Sequence, residues 1–267
     1  MRSIKELSDL TGRVALITGG AGHIGRTIAE GLAELGASIA IVDINADAMR
    51  EVTSVISEKY GTKCEGLKVD LENEAEIKEI PRRIEERFGS LNIVINNAAF
   101  VGENKLEGWV TSFSEQSIET WRRAVEVNLT AAFALTQACT DLLKKSKRGS
   151  VINIGSTYGL VGPDMSIYKG TEMGNPAAYA ASKGGLIQLT RWLSTVLAPE
   201  VRVNSLSPGG VERGQPKTFQ SEYVKRTPLK RMASEEDYKG AALYLASDLS
   251  SYVTGHNLVV DGGWTAW

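Results

Sequence analysis

The chain has 267 residues, 42% of them hydrophobic, and a formal net charge of −2 from 30 Lys and Arg against 32 Asp and Glu. That length suffices for one large α/β core. The balanced charge offers no electrostatic footprint for nucleic acid or an anionic membrane, so a small-molecule substrate is expected and a nucleic-acid partner is not.

Cys64 and Cys139 stand far apart, without partners at metal-ligand spacing, which argues against a disulfide framework and against a bound metal. The start, Met1-Arg2-Ser3-Ile4-Lys5-Glu6-Leu7, lacks the apolar core of a signal peptide, and no apolar run approaches the length of a membrane span. A cytoplasmic protein with no membrane partner is expected.

Short β-branched apolar runs alternate with longer helical stretches, the pattern of a doubly wound parallel sheet. The first strand is expected over 13–18, followed by Thr18-Gly19-Gly20-Ala21-Gly22-His23-Ile24-Gly25 and a helix over 24–35. Glycines there let the backbone approach a pyrophosphate, whose charge the free N–H groups and positive end of the helix would hold. A second strand, 38–43, ends in Ile41-Val42-Asp43, with Asp43 lying 18 residues beyond Gly25. This is close to the spacing of a Rossmann unit, in which an acidic residue accepts hydrogen bonds from the adenosine ribose. The carboxylate would repel a 2′-phosphate, and Ile44 and Asn45 bring no positive charge, so NAD is favoured over NADP.

Further along, helices are expected over 46–60, 73–88, 117–145, 177–197 and 234–247, and strands over 63–69, 92–96, 150–154, 202–205 and 257–260. Asn45 and Ser234 are plausible N-caps, and Gly36, Gly61 and Gly89 stop helices where a left-handed residue is needed. With no second core, repeat or low-complexity linker, residues 1–267 are expected to form one domain, a three-layer α/β/α sandwich around a Rossmann-type doubly wound parallel sheet of about seven strands. Stretches 97–116 and 159–176 break the rhythm. Both follow strands at their carboxyl ends, the edge where open α/β sheets bind ligands.

Tyr179 and Lys183 lie four residues apart in a helical run and so share one face. An ammonium beside a phenol favours phenolate and lowers the pKa of the tyrosine toward working pH, which suits a general acid/base for an alcohol proton.

The glycine turn, the acidic end of the second strand, Asn96-Asn97-Ala98-Ala99, Gly155-Ser156, Tyr179-x-x-x-Lys183 and Pro208-Gly209 occur in that order between about Leu10 and Gly263. Together they resemble the short-chain dehydrogenase/reductase family over essentially the whole chain. The resemblance implies that Tyr179 is the acid/base, that Lys183 lowers its pKa and binds the nicotinamide ribose, that Ser156 hydrogen-bonds the substrate oxygen, and that Asn128 holds a proton-relay water. For the cofactor it implies Gly19, Gly22, His23, Ile24, Gly25, Asp43, Asp70, Asn97, Ala98, Pro208 and Gly209, with Tyr179 and Lys183. Relatives commonly form tetramers through the two long helices at 117–145 and 177–197. Here Ala131, Ala132, Phe133, Leu135, Leu186, Leu189, Trp192 and Leu193 offer more apolar surface than one helix face needs, so a homotetramer is expected.

The chain also departs from the family pattern. His23 replaces a usual glycine, Ala99 ends the asparagine motif, and Arg213 stands four residues beyond Gly209, where a threonine is common. Ser156 and Tyr179 are 23 residues apart, a longer spacing than in many members, with the extra length in 163–175. This insertion is read as a substrate lid. Its Tyr168 and Lys169, with Arg213 and Lys217, are candidates to bind a phosphate or other anionic substituent. The insertion and the ending Val-Val-Asp-Gly-Gly-Trp-Thr-Ala-Trp resemble a subgroup linked to bacterial surface-sugar and flagellin modification, including nonulosonate biosynthesis. The expected activity is NAD-dependent hydride transfer at a secondary alcohol or ketone of a phosphorylated or nucleotide-linked sugar. A polyol, keto-acid or 3-oxoacyl reductase, or a non-catalytic dinucleotide-sensing protein, are the alternatives.

Overall fold

The protein is described by a computed structural model covering residues 1–101 and 105–267, so residues 102–104 of the expected 97–116 loop lie outside the described residues. Seven strands pair in one wholly parallel sheet: β1 (Val14–Thr18), β2 (Ser38–Asp43), β3 (Cys64–Lys68), β4 (Ile93–Asn96), β5 (Gly149–Ile154), β6 (Val201–Pro208) and β7 (Asn257–Val260). Their order is β3-β2-β1-β4-β5-β6-β7. All residues of β1, β4 and β5 are buried, because helices cover both faces of a parallel sheet and leave no strand face for water.

The helices are α1 (Ile4–Ser8), α2 (His23–Glu34), α3 (Ala46–Tyr60), α4 (Glu74–Phe88), α5 (Ile118–Val125), α6 (Ala131–Lys145), α7 (Ala177–Leu197), α8 (Lys217–Arg226) and α9 (Lys239–Ala246). Ile17, Ile39 and Ile95 form one core layer with Ile28, Val52 and Leu245 of α2, α3 and α9. Leu16, Val42 and Val94 form the other with Ile80, Leu135 and Leu193 of α4, α6 and α7. The alternation of successive strand residues between these layers is what makes the structure a three-layer sandwich.

Helix ends follow the local chemistry. Asn45 Oδ1 accepts the Ala48 N–H at 3.1 Å, and Gly61 and Gly89 close α3 and α4 with φ of 65° and 76°. The expected helix over 117–145 is instead two helices joined by a π-helical turn, Glu126–Thr130, which carries Asn128; such turns often occur at functional sites. Ser234 caps a 3₁₀ turn, Glu235–Tyr238, before α9 begins. Helices α1 and α8 were not anticipated, although the Ser3/Glu6 capping box is the sequence signal for α1.

The insertion packs against α8 and the carboxyl-terminal segment. A 3₁₀ turn, Met165–Tyr168, buries Ile167 and Tyr168 against Phe219, Tyr223 and Trp264, and Arg226 Nε donates to Asp164 Oδ2 at 2.5 Å. Of the apolar residues expected to serve assembly, Ala131, Ala132, Leu135, Leu186 and Leu193 are buried and Leu189 is partly buried, whereas Phe133 and Trp192 are exposed, as are Trp121 and Val196. Among the described residues, no helix is long and apolar enough to cross a membrane.

Candidate active site

The strand order reverses between β2-β1 and β4-β5, and loops from the carboxyl ends of β1 and β4 diverge at that switch point. A cleft of about 960 Å³ opens there, walled by the glycine turn, the ends of β2 to β6, the insertion and α8.

The glycine turn is held tightly. A Cβ on Gly25 would meet Gly19 O at 2.3 Å and Asn97 Nδ2 at 2.7 Å, so only glycine lets α2 start this close to the turn. Asn97 Nδ2 donates to Thr18 O and Gly19 O at 3.0 and 3.1 Å, while Thr18 Oγ1 accepts the N–H groups of Asn97 and Ala98. Asn97 thus ties the two diverging loops together. Gly22, the N-cap of α2, lines the cleft, and a Cβ there would have only Gly19 O near it, at 3.4 Å.

Asp43 ends β2 with its carboxylate already aimed: Oδ2 accepts the Ala21 N–H at 3.2 Å and Oδ1 the Asn45 N–H at 3.0 Å. Asp70 follows β3 in the same wall, where its Oδ1 accepts the Glu72 N–H. His23 and Ile24 also line the cleft. The His23 ring is largely exposed, with Nδ1 3.7 Å from Glu235 Oε1. On the opposite wall Pro208 ends β6, and the Gly209 N–H donates to Val260 O at 2.9 Å.

These residues fit a nicotinamide dinucleotide. The turn leaves backbone where side chains would intrude, the amino terminus of α2 faces it, and the wall around Asp43 (His23, Val42, Ile44, Val69, Asp70) carries no Lys or Arg.

Tyr179 and Lys183 lie on the first turns of α7 as their spacing requires, and both line the cleft. Lys183 Nζ donates to Ile154 O at 2.7 Å and sits 5.9 Å from the Tyr179 ring centroid. Burial lowers Lys183 from its usual value to about 8. For Tyr179 the outcome differs from expectation. Burial raises its pKa, and the opposing influences are the Ser156 hydroxyl hydrogen bond and the positive charge of Arg213. The Lys183 ammonium, held by the Ile154 carbonyl, lies over the Tyr179 ring, and the charge of Arg213 is a further influence favouring the phenolate.

Ser156 follows Gly155, where a Cβ would strike Ser207 Oγ at 2.6 Å; its own Oγ accepts the Tyr158 N–H at 3.1 Å. Asn128 is almost fully buried and has every side-chain donor in use. Its Oδ1 accepts the Phe100 N–H at 2.7 Å, and Nδ2 donates to Phe100 O and Ser182 Oγ, both at 3.1 Å. Its amide therefore braces the loop after β4 and the start of α7.

The expected anion-binding group is brought together only in part. Lys169 and Lys217 do not line the cleft, because the insertion turns Tyr168 inward and Lys169 out. The Tyr168 hydroxyl is bonded to that of Tyr158 at 2.8 Å, and its ring packs 5.4 Å from Phe219. Arg213 does face the cleft. Sequence reasoning missed Phe219 and Tyr223, which form the far wall; their four-residue spacing on one helix face was the available signal.

Residues 19–265 match a family profile described as enoyl-(acyl carrier protein) reductase. The chain belongs to the short-chain dehydrogenase/reductase family. Members of this family use nicotinamide cofactors. Among relatives within it, the 3-oxoacyl-[acyl-carrier-protein] reductase of Aquifex aeolicus is 33% identical over 259 residues, covering 95% of this chain and 98% of that protein. A gluconate 5-dehydrogenase from Burkholderia cenocepacia, solved with NADP and tartrate, is 29% identical with a TM-score of 0.87, over 99% of this chain and 100% of that one. A short-chain dehydrogenase from Leptospira borgpetersenii with bound NAD+ is 32% identical with a TM-score of 0.82, over 99% and 96%.

Proposed function

We propose that the protein is an NAD-dependent oxidoreductase that interconverts a secondary alcohol and the corresponding ketone. The observation that carries this reading is the convergence of Tyr179, Ser156 and Lys183 on the same cleft as the Gly19–Gly25 turn and Asp43. When bound, a nicotinamide dinucleotide supplies or accepts the hydride. The Tyr179 phenol donates a proton to the substrate oxygen in reduction, and the phenolate takes it back in oxidation. Ser156 supplies a second hydrogen bond to that oxygen. Lys183, anchored on Ile154 O, would hold the nicotinamide ribose. The glycine turn, with His23, Ile24 and Ala98, would hold the phosphates, and Asp43 the adenosine ribose, with Asp70 beside it; Pro208 and Gly209 would border the nicotinamide end. Asn97 and Asn128 would keep the two walls in place.

For substrate, the insertion supports a hydroxylated ring, a phosphorylated or nucleotide-linked sugar of bacterial surface-glycan synthesis, because it sets Tyr158, Tyr168, Phe219 and Tyr223 around the cleft as flat apolar surfaces. A second reading, a 3-oxoacyl reductase, is favoured by the likeness to the Aquifex aeolicus enzyme. In both readings residues 1–267 act as one domain in the cytoplasm. A homotetramer would cover the exposed Trp121, Phe133, Trp192 and Val196.

Initial rates with NAD and NADP, across free, phosphorylated and nucleotide-linked sugars, polyols and 3-oxoacyl thioesters, test the proposal. Activity confined to simple polyols or to thioesters would remove the surface-sugar reading. The wild type should favour NAD, and Asp43→Ala should narrow that preference by removing both the repulsion of a 2′-phosphate and a ribose acceptor. Equal kcat/KM with the two cofactors in the wild type would refute the assignment of Asp43.

A further inference from the structure

Gly209 and Gly210 follow Pro208, the last residue of β6, and both line the cleft. Every backbone N–H and C=O of these two glycines has a partner. The Gly209 N–H donates to Val260 O and the Ala233 N–H to Gly210 O, both at 2.9 Å. The other two partners are tyrosine hydroxyls: Tyr238 Oη donates to Gly209 O at 3.1 Å, and Tyr223 Oη accepts the Gly210 N–H at 2.6 Å. Burial raises the pKa of both phenols, so each keeps its proton at working pH and Tyr238 remains a donor.

A turn at a cleft edge can satisfy its backbone groups with water. Here two of the four are taken by side chains from separate elements, Tyr238 at the end of the 3₁₀ turn before α9 and Tyr223 on α8. Close packing fixes the same contact. A Cβ on Gly210 would meet Tyr223 Cζ at 2.7 Å, and one on Gly209 would meet Asp261 Cα at 2.8 Å, so the chain passes between a phenol ring and the end of β7 with room for glycine alone. The Tyr223 ring is itself held, stacked on Trp264 with centroids 4.2 Å apart and 17° between planes, and lying 5.8 Å from Phe219. Tyr223 therefore belongs both to the aromatic wall and to the turn bordering the nicotinamide end.

Resting on the oxidoreductase reading above, we infer that Tyr223 is a positioning residue for the nicotinamide half of the cofactor, acting through its hydroxyl on the Gly209-Gly210 turn, with Tyr238 as the second prop. A turn whose hydrogen bonds are all made before a ligand arrives does not have to be ordered on binding, which lowers the cost of association. Removing the Tyr223 hydroxyl leaves the Gly210 N–H without its acceptor while the ring keeps its stack on Trp264. The loss falls on the part of the cofactor that this turn borders. The pyrophosphate and adenosine ribose, assigned to the glycine turn and Asp43 on the opposite wall, do not depend on it.

The test is calorimetric titration with NADH and with ADP-ribose, the same dinucleotide without its nicotinamide; NADPH and 2′-phospho-ADP-ribose form the matching 2′-phosphorylated pair. Within a pair, the ratio of affinities measures what the nicotinamide end contributes. Tyr223→Phe should lower that ratio about threefold or more, the scale of one neutral hydrogen bond, with ADP-ribose affinity retained. Tyr238→Phe should act in the same direction. Gly210→Ala gives the same readout without touching either tyrosine, because its methyl group would displace the Tyr223 ring. A ratio that stays at the wild-type value in Tyr223→Phe and Gly210→Ala, or equal losses of NADH and ADP-ribose, would overturn the assignment, the second result by showing that the hydroxyl supports the fold at large. Either result leaves the oxidoreductase reading standing. A wild type that binds neither NADH nor NADPH would overturn that reading and this assignment together.

Discussion

Tyr179 has to be a phenolate to oxidise an alcohol and a phenol to reduce a ketone. Burial raises its pKa while Ser156 and Arg213 pull it back, so oxidation should climb with pH and reduction should fall over the same range. Ser156→Ala removes one of the two opposing influences. The rising limb of oxidation should move to higher pH, and kcat should drop about a hundredfold, the usual loss when one donor to a developing charge is deleted; an unmoved limb in a pH-rate profile would contradict that role. Lys183 yields a stability test whose slope has the sign of a carboxylate with a lowered pKa, but its shift acts as a penalty near neutral pH instead of a contribution. Its folded pKa of about 8 lies below the ordinary 10.5, so between those values the unfolded chain binds more protons and stability rises with pH. Below 8 the ammonium is charged in both states and its burial penalty is complete. Urea denaturation without cofactor should show Lys183→Met gaining relative to the wild type near neutral pH and losing that advantage as pH approaches 10.5; a pH-independent difference would sink the argument.

At the scale of elements, the parts readable in the sequence were those whose cause is local. The glycine turn, the caps at Asn45, Gly61 and Gly89, and the Tyr179/Lys183 face of α7 all follow from residues within a few positions of one another. The interruption between α5 and α6 does not, because Asn128 is drawn to the backbone of Phe100, 28 residues earlier. The far wall was likewise hidden, since α8 gains its buried face only when Tyr168 of the insertion arrives to meet Phe219 and Tyr223. That contact makes the insertion part of the cleft wall. Tyr168→Ala should open a cavity in this cluster and cost about 3 kcal/mol in chemical denaturation, with substrate KM raised more than NADH affinity is weakened. A loss below about 0.5 kcal/mol would return the segment to the status of surface decoration.

For the molecule as a whole, alternating apolar runs were enough to anticipate a doubly wound parallel sheet, because few topologies satisfy right-handed crossovers and two covered faces. The observed order, with β1 and β4 adjacent at the centre, then brings the turn after β1 and the loop after β4 to one edge, where β5 and β6 deliver Ser156 and Pro208. What the sequence pattern did not show was the whole charge placement around the phenol. Lys183 lies over the ring as its spacing implies, held there by Ile154 O, and a further positive influence on Tyr179 comes from Arg213, 34 residues beyond the tyrosine in the chain.

The central claim is that Tyr179 moves the proton at the substrate oxygen while the rest of the cleft binds and orients. It is tested most directly by single-turnover and steady-state rates of Tyr179→Phe on the best substrate of the wild type, with NADH affinity measured on the same preparation. The account predicts a fall in turnover of at least about two orders of magnitude with cofactor affinity retained, since the substitution deletes one hydroxyl and leaves the ring in place. Turnover within a few-fold of the wild type would contradict it.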